Sequence, residues 1–86
     1  MEYVLVRFEF NSLIWKYYNG DVIVSSGEID KSSYSGGEIK LSDNLYFDKS
    51  KGFYKKVGDN EIYLVIRVNV LSYLFGLFLN EGAMHG

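Results

Sequence analysis

Between Glu2 and Phe10 the chain alternates: Val4, Val6, Phe8 and Phe10 point one way, and Tyr3, Leu5, Arg7 and Glu9 the other. A repeat of two predicts extended backbone, because successive side chains of a strand leave on opposite faces. The run Leu13-Ile14-Trp15-Lys16-Tyr17-Tyr18 meets Asp21-Val22-Ile23-Val24 across Asn19-Gly20, the strongest short hairpin signal. A two-residue turn there sets Tyr17 opposite Val22 and Trp15 opposite Val24. A tight turn at Asn11-Ser12 sets Phe10 against Leu13, Phe8 against Trp15 and Val6 against Tyr17, so the three strands share one apolar face.

The opposite face of this meander carries Arg7, Glu9 and Lys16, but also Tyr3, Leu5, Ile14, Tyr18 and Ile23. That is more apolar than an ordinary solvent face, so a second layer or a partner is expected to cover part of it.

From Ser25 to Asp43 serine and glycine dominate, which predicts a loop or a loosely made hairpin. Gly27-Glu28-Ile29 returns as Gly37-Glu38-Ile39, consistent with two short edge strands but too brief to define a repeat. Leu45-Tyr46-Phe47 and Phe53 to Val57 flank Asp48-Lys49-Ser50-Lys51-Gly52, a hairpin with a glycine at the end of its loop. After Gly58-Asp59-Asn60 the alternation of Ile62, Leu64, Ile66, Val68 and Val70 predicts a single central strand. Residues 71–79 are apolar all round, which predicts a second buried strand or a bulged continuation, with a short C-terminal helix as the alternative. Residues 80–86 are expected to be a flexible tail. The fold class is therefore mainly β, an antiparallel meander forming a small sandwich or barrel, with residues 1–79 as one β domain.

Composition supports burial as the source of stability. Of the 86 residues 48% are hydrophobic and 17% aromatic, and there is no Cys to form a disulfide or a thiolate metal site. The first ten residues lack a basic stretch before a continuous apolar run, so no secretory signal is expected, and a cytoplasmic location is the expectation. The net charge of −2 is too near balance to mark a general polyanion binder.

Candidate chemistry is sparse. The single His, His85, sits in the tail, and Asp59 with Glu61 lies at a turn where solvated carboxylates are expected. No catalytic residue is assigned, and an enzyme is not expected. The Asp48 to Gly52 loop shares an Asp and a Gly with calcium loops, but its two Lys oppose a cation, so neither a metal nor another cofactor is expected. Ile62 to Leu79 is long enough to cross a bilayer, yet Arg67 and Asn69 near its middle and its strand-like alternation oppose a membrane role.

Two surfaces stand out. The apolar patch of Tyr3, Leu5, Ile14, Tyr18 and Ile23 suits a protein-binding or assembly module, with a homodimer as the simplest assembly. The hairpin holding Tyr46, Lys49, Lys51, Tyr54, Lys55 and Lys56 suits, as the alternative, a small β-barrel that grips single-stranded nucleic acid by charge and stacking. Carbohydrate or small-ligand binding by surface aromatics is a third, weaker expectation. Brevity without Cys or Pro is also a trait of accessory or inhibitory proteins of viruses and mobile elements.

Overall fold

The computed structural model describes residues 1–68, and the expectations for residues 69–86, including His85, the 71–79 segment and the tail, lie outside them. Among the described residues there are eight strands: β1 (Glu2–Phe8), β2 (Ser12–Asn19), β3 (Val22–Asp30), β4 (Ile39–Lys40), β5 (Leu45–Asp48), β6 (Gly52–Val57), β7 (Asn60–Tyr63) and β8 (Val65–Val68). They form two four-stranded sheets, ordered β3-β2-β1-β8 and β4-β5-β6-β7. The mainly β, antiparallel-rich class expected from the alternation is what the chain adopts.

The two sheets share one core. Val4, Val6, Leu13, Trp15, Tyr17 and Ile29 come from the first sheet, and Leu45, Phe47 and Phe53 from the second. Each large apolar side chain buried in this way contributes about 1.5–3 kcal/mol. Tyr34, in a short 3-10 segment at Lys31–Gly36, tilts against Phe47 with ring centroids 5.8 Å apart. Asp30 starts that segment, its carboxylate accepting from the amide and hydroxyl of Ser32 at 2.9 Å each.

The first N-terminal hairpin differs from the expected register by two residues, so its faces survive the shift. Phe8 pairs with Leu13, Val6 with Trp15 and Val4 with Tyr17. Asn11-Ser12 lacks the glycine that a primed two-residue turn takes. The chain instead makes a longer loop closed by the Glu9 amide donating to the Ser12 carbonyl at 2.9 Å. Phe8 and Phe10 therefore leave the core, Phe10 being 87% exposed. In the second hairpin Asn19 stays extended and pairs with Val22, leaving Gly20-Asp21 as the turn. Gly20, at φ +62°, takes the first central position, where a type II′ turn requires glycine.

A bulge in β3 then changes the face assignment. Tyr18 pairs with Ile23 but Tyr17 with Ser25, so Val24 is the extra residue. Val22 and Val24, expected against the core, are exposed, and Ser25, Gly27 and Ile29 face inward instead. This strand runs to Asp30, well into the stretch expected as loop. The recurring Gly-Glu-Ile segments fall partly on β3 and β4, which are edge strands among the described residues.

The predicted central strand over Glu61 to Val70 is corrected most. The chain changes sheet at Leu64, whose amide donates to the Phe53 carbonyl at 3.0 Å and whose side chain packs on the core. β7 pairs antiparallel with β6, whereas β8 pairs parallel with β1, placing Ile66 beside Val4 and Arg67 beside Leu5. Alternation sets the two faces of these strands, but Ile62, Ile66 and Val68 stay exposed on theirs, and it does not say which neighbour the backbone bonds.

Trp15 is the largest member of the core, and its indole lies over Gly27. A Cβ at Gly27 would come within 2.8 Å of Trp15 Cζ2. Gly27→Ala is expected to lower unfolding stability by about 1–3 kcal/mol through overpacking, measured by urea denaturation. An unchanged stability would contradict this packing.

Candidate protein-interaction surface

The outward face of the first sheet is built by alternation on β1 and β2. Because Val4, Val6, Trp15 and Tyr17 point inward, Tyr3, Leu5, Arg7, Ile14, Lys16 and Tyr18 point out. Cross-strand pairing sets Tyr3 opposite Tyr18, Leu5 opposite Lys16 and Arg7 opposite Ile14. The Tyr3 and Tyr18 rings stack at 5.0 Å with planes 7° apart. Ile23, exposed on β3 and paired with Tyr18, extends the same face. All five patch residues expected from the sequence thus lie on one sheet face.

The parallel strand adds residues that sequence reasoning did not place there. Val65 lies beside Tyr3 and Arg67 beside Leu5, and the Arg67 guanidinium stands 4.4 Å from the Tyr3 ring centroid. Only the signal that Arg67 alternates with Ile66 was available, and it does not say which sheet receives it. A cleft of about 90 Å³ opens in the middle of the face, walled by Leu5, Ile14, Arg7 and Lys16. Arg7 bridges Glu9 at 3.1 Å, with both side chains about half exposed. Lys16 has no ion-pair partner among the described residues.

The basic hairpin is arranged differently. Tyr46, Tyr54 and Tyr63 form a ladder across β5, β6 and β7, with centroids 5.9 and 5.7 Å apart. Tyr54, in the middle, is completely buried, and its hydroxyl donates to Glu38. Lys56 pairs with the same carboxylate at 2.7 Å and lies over the Tyr46 ring, while Lys51 pairs with Glu61 at 3.3 Å. Lys55 points to the other side of the sheet, where its ammonium meets Glu2 at 3.1 Å. Lys49 is exposed on the turn. The structure therefore brings Tyr46, Lys51, Tyr54 and Lys56 together, but separates Lys55 from them.

Glu2 and Glu38 occupy equivalent arrangements, each accepting from one tyrosine hydroxyl and one lysine. The Tyr17 hydroxyl, then Lys55, hold the Glu2 carboxyl below the usual glutamate range. Lys56, then Tyr54, do the same for Glu38. Burial, reinforced by the Glu38 acceptor, pushes the Tyr54 phenol up. Glu61 is likewise lowered, first by the Tyr63 hydroxyl, so of the Asp59 and Glu61 pair one member is engaged in surface pairing.

A wider cleft of about 370 Å³ lies between the sheets, where Tyr17 and Ser25 approach Ser42, Asp43 and Asn44. Among the described residues no three His, Cys, Asp or Glu side chains gather as a metal site, and no helix is long and apolar enough to cross a membrane. Compared with protein-family models, curated proteins and solved structures, the chain matches none.

The lowered carboxylates make stability pH-dependent with a definite sign. A carboxyl with a depressed folded pKa stabilises the fold above its unfolded value, and that contribution is lost as pH falls through the folded pKa. The Glu2 contribution is therefore complete above the ordinary value of 4.5 and disappears progressively below it. Thermal unfolding followed by circular dichroism should show Glu2→Gln melting lower than wild type at neutral pH, with the two converging in acid. A constant difference at all pH values would contradict the ion-pair account.

Proposed function

We propose that the protein is a non-enzymatic protein-binding module whose contact surface is the outward face of β1 and β2. The observation that carries this reading is the grouping of Tyr3, Leu5, Ile14 and Tyr18 on one sheet face, away from the shared core, with Leu5 and Ile14 lining a cleft. Aromatic and aliphatic residues at the centre with arginine beside them match the composition of interface cores and hot spots. The stacked tyrosine pair supplies a firm platform, since tyrosine gives contact area with few rotatable bonds.

Single-stranded nucleic-acid binding through the lysine hairpin has less support. Lys51 and Lys56 are paired with carboxylates of the same surface, Tyr54 has no exposed ring face on which a base could stack, and Lys55 lies on the other side of the sheet. A cytoplasmic setting is consistent with the Cys-free composition and forms part of the proposal.

Affinity capture from cells that express the protein tests the reading. Proteins retained by wild type should be lost by Ile14→Lys and Tyr18→Lys and kept by Lys49→Glu, while all three variants stay within about 1 kcal/mol of wild-type stability, as surface changes do. Identical retention by every folded variant would remove this face as the contact surface.

A further inference from the structure

We infer that the partner inserts a glutamate side chain of an apolar, acidic segment into the cleft between Leu5, Ile14, Arg7 and Lys16, an inference that rests on the binding face proposed above. The size of the cleft decides between kinds of occupant. At about 90 Å³ it is well below the roughly 300–1,000 Å³ of small-molecule pockets, and it suits one anchoring side chain.

Its chemistry decides which side chain. Two walls are aliphatic, Leu5 and Ile14, and the other two are cationic, Arg7 and Lys16. A glutamate meets both: its methylenes lie against Leu5 and Ile14, while its carboxylate accepts from the Arg7 guanidinium and the Lys16 ammonium. Arg7 has donors beyond the one that meets Glu9, because a guanidinium carries five N–H groups. Among the described residues Lys16 has no carboxylate partner to displace. Arg67, over Tyr3, adds a third cation to the face.

Charge also argues against a second copy as the occupant. The chain carries net charge −2 overall, yet cations gather around this cleft. A symmetric dimer with its axis through the cleft would bring Lys16 and Arg7 of each copy toward those of the other, whereas a segment with a central carboxylate and apolar flanks neutralises them. Glu28, opposite Ile14 on β3, and Glu9 stand at the margin of the face, where they oppose a partner whose acidity is spread rather than centred.

Selection of random dodecapeptides displayed on phage, against the full chain at low salt, provides the probe. Enriched peptides should share a Glu flanked by apolar residues. Their synthetic copies should lose about tenfold or more in affinity when that Glu becomes Gln or when the chain carries Lys16→Gln, the scale of a close charge pair at an interface. Enriched peptides that ignore Lys16→Gln and Arg7→Gln but fail on Ile14→Lys would overturn the glutamate while leaving the face. Peptides that need only a free C-terminal carboxylate would also overturn it. No enrichment, or binding indifferent to Ile14→Lys, would overturn both, and a dimer in sedimentation that Ile14→Lys abolishes would make a second copy the occupant.

Discussion

Everything in this fold depends on two sheet faces being buried against each other. The chain has no Cys, so no disulfide joins the layers, and packing must hold them. The interior is correspondingly aromatic: Trp15, Tyr17, Phe47 and Phe53 meet around Val4, Val6 and Leu45. Such packing is intolerant of added volume, as the approach of Trp15 to Gly27 shows. The strand that changes sheet at Leu64 binds the layers further, giving its first half to one sheet and its second half to the other.

The two outward faces then take opposite characters. On the second sheet the tyrosine ladder buries its central member, and Glu38 and Glu61 hold two of the lysines, so that surface satisfies most of its own charge. On the first sheet the side chains that alternation forces outward are Tyr3, Leu5, Ile14 and Tyr18, with Lys16 lacking a counter-ion among the described residues. One surface has closed on itself and the other has not. That contrast, and not the amount of apolar composition, directs the functional reading to the first sheet.

The legible part of this architecture was the part governed by period two. Val4, Val6, Trp15 and Tyr17 against Tyr3, Leu5, Ile14 and Tyr18 separated correctly even though the pairing was displaced, because a shift by two residues keeps every side chain on its face. The bulge at Val24 was not legible: one inserted residue reverses the inward set of β3, and nothing in Val22-Ile23-Val24 distinguishes a core face from an exposed one. Gly27 explains that reversal only once Trp15 is seen above it. The parallel pairing of β1 with β8 was also hidden, since it joins segments some sixty residues apart without a local turn to announce it. Of the basic hairpin the sequence showed the composition but not the partners, because Glu2 and Glu38 arrive from distant strands and loops.

The most direct test of the account is the effect of a soluble paramagnetic probe on the side-chain methyl signals. With the two inner faces packed together and the outward face of the first sheet open, Leu5 and Ile14 should broaden strongly, whereas Val4, Val6, Leu13 and Leu45 should be protected. Equal protection of Leu5 and Ile14 would mean that this face is already covered within the molecule, and would contradict its role as the surface that meets a partner.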